Sequence, residues 1–356
     1  MLNWENIIAL RMQRQCLKHH ADQTEYEQLY RDLSPGLNVH WHGFGQPPCL
    51  VYRTDFDDVA LNGKRQLKRE LVKGRFQNGN IGFVEARMME LFACLYQKPY
   101  RPAPYSDLLL HLIEREGPMN IEVMKEMTGL LVKQITPALH RLQESFLVFE
   151  DQNDGEWDRG WYLFEEMFPE ADLNRYTRQQ ALECVLPRLF YRFVYLNTEN
   201  ARHFLGLPKK DVKAALEKLA QEEKLVSWQN GWLLPEDKEI LQGADFEPMK
   251  GILALHRNDP LVRIDEWHLK EEYKGKEKGS EVMQYLLIDG QIRGAVMGHF
   301  RYGPYDLHEI RVDLPEAQMQ LRREEIWEAV REVNGKRENE GEIPFAHCAE
   351  NKEKLP

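Results

Sequence analysis

Apolar and polar positions between Tyr105 and Glu166 follow two different periods in turn. Leu108, Leu109, Leu112 and Ile113 fall at helical spacing and stop at Glu116-Gly117-Pro118, where glycine and proline end a helix. Ile121 to Met127 predicts a second short helix and Val132 to Ser145 a third. Phe146-Leu147-Val148-Phe149 then passes through acidic residues and a turn on Asp154-Gly155 to Trp161-Tyr162-Leu163-Phe164, a strand and its return. Three helices and a hairpin within about 60 residues have the size and order of a winged-helix unit.

The pattern recurs over residues 177–235. Gln179 to Tyr195 predicts a long helix with a kink or boundary at Pro187, because proline lacks the amide that a helix interior needs. Thr198 to Leu205 is a short helix. Lys209 to Glu223 is amphipathic, with Val212, Leu216 and Leu219 on one face. Lys224 to Trp228 and Trp232 to Leu234 form a hairpin across Gln229-Asn230-Gly231.

The flanks are less regular. Residues 3–32 predict two helices, closed by Ser34-Pro35-Gly36. Phe56 to Val72 reads as a helix, Gly74 to Gly82 as turns, and Phe83 to Tyr96 as another helix before the proline-bearing linker Lys98 to Pro104. Beyond residue 246 the period changes to two. Val282 to Ile288, the turn Asp289-Gly290 and Gln291 to Phe300 form a hairpin, His308 to Leu314 a third strand, and Pro315 to Val333 a helix. The charged stretch after Gly335 is expected to fray.

The expected architecture is therefore α+β: three tandem winged-helix units followed by a small C-terminal antiparallel β domain. The units divide as 1–100, 101–172, 173–245, a β domain with terminal helix over 246–334, and a charged tail over 335–356.

Composition narrows the function. The chain has 356 residues, 42% hydrophobic, enough for several cores. No apolar run is long enough for a membrane span, and the N-terminus lacks the basic-then-apolar order of a secretory signal. Five widely spaced cysteines without a Cys-x-x-Cys fit a reducing cytoplasm better than a disulfide framework or zinc site. No metal or other cofactor is expected, and no phosphate-binding glycine loop, dinucleotide fingerprint or His-Glu-x-x-His occurs. His40 and His42 share one face of an extended chain, near Cys16, His19 and His20 in sequence, but no third ligand is placed.

A net charge of -11 argues against general nucleic-acid binding, but the charge is uneven. Residues 1–100 carry 13 Lys+Arg against 11 Asp+Glu, residues 101–250 carry 18 against 26, and residues 251–356 carry 16 against 21. Lys64, Arg65, Lys68, Arg69, Lys73 and Arg75 face only Glu70 locally, forming either a solvated face or a phosphate-binding surface. Lys133, His140 and Arg141, or Lys209, Lys210 and Lys213, could meet DNA from a third helix. Trp41 and Phe44 could stack on bases or fill a core, and Arg53 could contact phosphate or pair with Asp55, Asp57 or Asp58.

The order of parts from about residue 5 to residue 333 resembles the winged-helix DNA glycosylases of the AlkZ/YcaQ type. Leu10-Arg11 and Arg14-Gln15 resemble the start of that family's first helix. Arg257-Asn258-Asp259-Pro260-Leu261-Val262 is similar to its Asp-Pro-Leu segment, and Tyr285 to Gly294 to the strand-turn-strand that follows. The family's catalytic Gly-Leu-Gln-x-Gln or Gln-x-Asp motif corresponds here to Gly36-Leu37-Asn38-Val39-His40. Asn38 stands in place of the first Gln, and His40 in place of the second Gln or Asp. The resemblance implies three winged helices and a β domain, double-stranded and possibly damaged DNA as partner, and Asn38 and His40 as the catalytic pair. Its specific form is hydrolysis of the N-glycosidic bond of alkylated or crosslinked purines. A non-catalytic regulator or lesion sensor, and a protein-binding scaffold, are the alternatives.

Overall fold

The computed structural model describes residues 2–39, 47–151, 159–243, 246–275, 279–299, 306–335 and 340–347. In the first third, α1 (Trp4–Arg14) and α2 (Gln23–Asp32) lead to β1 (Gly36–Leu37), α3 (Asp58–Leu67), the hairpin β2 (Leu71–Arg75) and β3 (Ile81–Glu85), and α4 (Met89–Tyr96). The strands form one sheet in the order β1-β3-β2.

The middle third holds α5 (Pro104–Glu116), α6 (Ile121–Thr128), α7 (Val132–Glu144), β4 (Val148–Glu150), β5 (Trp161–Leu163) and the short α8 (Phe164–Met167). A bridge between Met119 and Trp161 adds a third antiparallel partner beside β5. Next come α9 (Arg178–Phe193), β6 (Tyr195–Leu196), α10 (Thr198–Leu205), α11 (Lys209–Gln221), β7 (Val226–Trp228), β8 (Gly231–Leu233) and α12 (Pro235–Gly243), with sheet order β6-β8-β7. One order of helix, extended segment, two helices and hairpin thus recurs.

The last part comprises β9 (Ile252–Leu255), α13 (Pro260–Arg263), α14 (Glu266–Glu272), β10 (Glu281–Ile288), β11 (Gln291–Gly298), β12 (Leu307–Val312), α15 (Glu316–Leu321), α16 (Arg323–Asn334) and β13 (Phe345–His347). The chain is α+β, with several small sheets. No helix among the described residues is long and apolar enough to cross a membrane.

Local caps explain the helix starts. Asn3, Asp22, Asp57, Asn120, Thr177 and Asn197 each accept a backbone amide from the first turn. The residues carrying the Asp154-Gly155 turn lie outside the described residues.

Several boundaries differ from expectation. Helix α9 runs through Pro187 without a break, its buried face of Val185, Leu186, Leu189 and Phe190 holding both halves in one core. Residues 71–75 and 81–85 form a hairpin where helix and turns were expected. Leu71 to Gly74 are all buried, so no alternation marked the strand. The terminal helix divides at Arg322 into α15 and α16. The tail is not wholly frayed: Phe345 to His347 pair in parallel with β12.

The C-terminal sheet has five strands in the order β13-β12-β11-β10-β9. Alternate residues serve opposite layers. Tyr285, Leu287, Ala295 and Met297 join the main core, while Leu286, Ile288, Val296 and Ile310 pack with Ile326, Trp327 and Val330 of α16. The main core also takes in Leu29, Phe83 and Phe92 from the first third and Leu189, Phe193 and Phe204 from α9 and α10. Leu109, Ile135 and Leu139 of the middle third form a separate core. The turn of the β10–β11 hairpin seats this arrangement. Asp289 and Gly290 both have positive φ, as a tight hairpin requires, and a Cβ on Gly290 would lie 2.9 Å from Ile8 of α1.

Candidate functional site

Residues 34–39 leave α2 and run along the edge of the first sheet. The Ser34 hydroxyl donates to the Tyr30 carbonyl at 2.9 Å, and Gly36 and Leu37 pair with Phe83 and Gly82 of β3. Gly36 has no room for a side chain, because a Cβ there would lie 2.9 Å from the Tyr30 hydroxyl. Asn38 follows directly, half-buried.

The Asn258 amide, 220 positions on, donates to the Asn38 carbonyl. Arg263 of α13 donates to the Pro35 carbonyl at 2.9 Å, to Gln77 Oε1 at 2.8 Å and to the Phe204 carbonyl at 3.2 Å. Its guanidinium lies 4.3 Å from the Phe204 ring centre, and burial pulls its pKa down to about 10. One buried cation therefore ties the Asn38 segment, the β2–β3 loop and α10 together.

Arg53 pairs with none of Asp55, Asp57 and Asp58. It is fully buried and binds Asp259, while Asp57 caps α3 and Asp58 accepts from the Tyr26 hydroxyl at 2.7 Å and the Leu50 amide at 2.9 Å. Arg53 is thus removed from any phosphate surface. Asp259 also caps α13 by accepting from the Leu261 amide at 2.9 Å.

A cavity of ≈ 20 Å³ opens among Gly36, Leu37, Val39, Pro48, His256 and Asn258. That volume suits about one water molecule. Its polar wall includes His256, whose Nδ1 accepts from the Asn258 backbone N–H at 3.0 Å. His40, with His42, Trp41 and Phe44, lies outside the described residues.

The basic run is not one surface. Lys64 and Lys68 are exposed. Arg65 is buried and donates to Glu85 at 2.7 Å. Lys73 is buried on Glu150, and burial draws its pKa down to about 8. Arg69 binds Asp151, and Arg75 donates to Gln143 at 3.1 Å and the Gly79 carbonyl at 2.9 Å. Arg65 and Lys73 are therefore corrected from phosphate contacts to internal ion pairs. Glu85 of β3, Glu150 of β4 and the adjacent Asp151 each neutralise one cation of the run.

On the third helix of the middle unit, His140 is half-buried. Burial, with Arg75 beside it, pushes its pKa down to about 4, so the ring is neutral at pH 7. Lys133 is exposed, whereas Lys209 and Lys213 lie within reach of Glu199 and Glu217 at 2.5 and 3.6 Å. The sequence had marked Arg257 to Val262 as a motif. It gave no sign that Asn258 reaches Asn38, and no local pattern singled out Arg263.

No family model and no curated protein matches the chain. Among solved structures, it is similar to the Streptomyces sahachiroi DNA glycosylase AlkZ, with a TM-score of 0.66 and 13% sequence identity. The match covers 98% of this chain and 99% of that one. At that identity the likeness is one of fold: the two share their architecture from end to end.

Proposed function

We propose that this chain is a DNA-repair glycosylase of three tandem winged helices and a C-terminal β domain, divided near residues 100, 172, 245 and 334. It hydrolyses the N-glycosidic bond of alkylated or crosslinked purines in double-stranded DNA. The observation that carries this reading is the convergence on one segment. Asn258 and Arg263 hold residues 35–38 from behind, beside a cavity of one-water size, in a fold shared along its length with a DNA glycosylase.

The chemistry asks little of the protein. An alkylated purine carries positive charge and leaves readily, so the site must expose the nucleotide, hold a water and favour an oxocarbenium-like state. Asn38 orients the water and His40, a side chain able to accept a proton near neutral pH, takes its proton. No cofactor is needed. Lys64 and Lys68 contact phosphate. The free thiols Cys16, Cys49, Cys94 and Cys184 support a reducing, cytoplasmic setting.

The test is release of N7-methylguanine from duplex DNA, with anisotropy titrations across salt concentration run alongside. Base release supports the enzyme. Salt-steep binding without release leaves a sensor or regulator.

A protein-binding scaffold is the second reading, favoured by one observation. Tyr105, Leu108, Val123, Met127, Leu131 and Val132, all in the middle unit, are 39% to 53% exposed. Apolar exposure gathered in one unit is a mark of protein contact. Absence of DNA binding even at low salt would leave this reading standing.

A further inference from the structure

The loop between α1 and α2 brings together three side chains that the glycosylase reading does not use. Cys16 lies just beyond the end of α1, His19 in the loop, and Glu25 in the first turn of α2. The cysteine sulfur, a histidine ring nitrogen and a glutamate oxygen all lie within 4.8 Å of one another. His19 Nε2 is 3.1 Å from both Glu25 carboxylate oxygens. In a tetrahedral zinc site, metal–donor bonds of about 2.0–2.3 Å place donor atoms roughly 3.3–3.6 Å apart. A contraction of about 1 Å therefore suffices.

An exposed His–Glu pair alone is an ordinary surface contact of small energetic value. Cys16 makes this group different. It is fully buried, yet its sulfur lies within 4.8 Å of both a His19 ring nitrogen and a Glu25 carboxylate oxygen. Its backbone has a φ of 56°, the left-handed region that a helix end normally gives to glycine. A non-glycine residue held there costs energy, and such positions cluster at functional sites. The nearby Arg53 and Arg192 guanidiniums are each neutralised by a carboxylate, Asp259 and Asp32.

We propose that Cys16, His19 and Glu25 bind one divalent first-row transition metal of zinc type, with water as fourth ligand. Sulfur and nitrogen donors select zinc-like ions over magnesium or calcium. The thiol proton leaves to solvent as the thiolate binds. Thiolate and carboxylate then balance the dication around a neutral imidazole. The Cys-x-x-His spacing suits one metal, and Glu25 is the third ligand that sequence spacing did not place. The metal would fasten the α1–α2 loop, whose Ala21 amide donates to the Arg53 carbonyl at 2.7 Å. It clamps the side of the fold that holds Arg53.

The test is a cobalt(II) titration of the full-length, reduced, metal-free protein, followed by zinc displacement. One equivalent of cobalt should give a thiolate-to-cobalt charge-transfer band and the ligand-field bands of a tetrahedral site. Zinc should abolish both. Cys16→Ser should remove the charge-transfer band, while Cys184→Ser, at an exposed thiol, should retain it. His19→Gln and Glu25→Gln, at exposed side chains that leave the core intact, should each weaken binding by at least about 10–100-fold. These two variants decide the matter should Cys16→Ser fail to fold. No charge-transfer band in the wild type would overturn the proposal, as would affinity unchanged in both His19→Gln and Glu25→Gln.

Discussion

Arg53 and Asp259, 206 positions apart, meet fork to fork through hydrogen bonds of 2.7 and 3.0 Å. Both are buried, and the pair joins the stretch that precedes α3 to the start of α13. Two parallel charged hydrogen bonds fix geometry as well as charge. Breaking such a pair leaves a buried charge without compensation, which costs about 3–5 kcal/mol. Asp259→Asn should lower the unfolding free energy in urea by about 3 kcal/mol or more. Arg53→Met combined with Asp259→Leu should restore most of it, since no charge is stranded. A single variant within about 1 kcal/mol of wild type would show the pair to be idle.

The division of the basic run makes a sharper prediction than its composition did. Lys64 and Lys68 are exposed on and just after α3, while Lys73 is buried on Glu150. Replacing Lys64 and Lys68 with alanine should weaken DNA binding and reduce the slope of log affinity against log salt by about 2, one unit for each phosphate contact. Lys73→Ala should leave that slope unchanged and lower the melting temperature, because it removes the nearer partner of Glu150 and leaves only Arg159 at 3.3 Å on that carboxylate. Equal salt slopes in the wild type and the double variant would assign Lys64 and Lys68 to solvent.

His140 ties stability to pH. Burial lowers its pKa from 6.5 to about 4 in the folded protein. Between those values the unfolded chain takes up a proton that the folded chain refuses. Stability must therefore fall as pH drops from about 6.5 towards 4, with no contribution from this residue above pH 7. Melting temperatures measured from pH 7 to 4.5 should decline less steeply in His140→Gln than in the wild type. Parallel curves would mean that His140 protonates in the folded state as freely as in the unfolded one.

What the sequence disclosed follows from the range of the forces involved. The helices at 121–128 and 198–205 and the hairpin at 282–298 were legible because periodicity, caps and turn residues act within a few positions. The hairpin at 71–85 was missed because its first strand is buried on both faces and includes Lys73 and Gly74, so neither alternation nor an apolar run marks it. Its charges misled for a related reason: Glu85, Glu150 and Asp151 neutralise Arg65, Lys73 and Arg69 only after folding. The Asn38 segment was found by resemblance, but its supports at Asn258 and Arg263 lie more than 200 positions away. No local pattern encodes a contact of that separation.

The hydrolytic proposal rests on two side chains sharing one water. Asn38 leaves the edge of the first sheet where Asn258 holds its carbonyl, and His40 is two residues further along the chain. His40→Ala should cut base excision by roughly 10²–10⁴-fold, the range for a positioned general base. DNA affinity should change little, because phosphate contacts supply most of it. Wild-type activity should fall in acid as an imidazolium forms and can no longer accept a proton. Asn38→Ala should also be damaging, and the double variant should be little worse than the poorer single one, since both residues act on the same water. Single-turnover excision of N7-methylguanine, measured beside binding, separates these outcomes. Excision that survives both substitutions would place the chemistry elsewhere. Tight binding without excision by the wild type would leave a lesion sensor on a glycosylase fold.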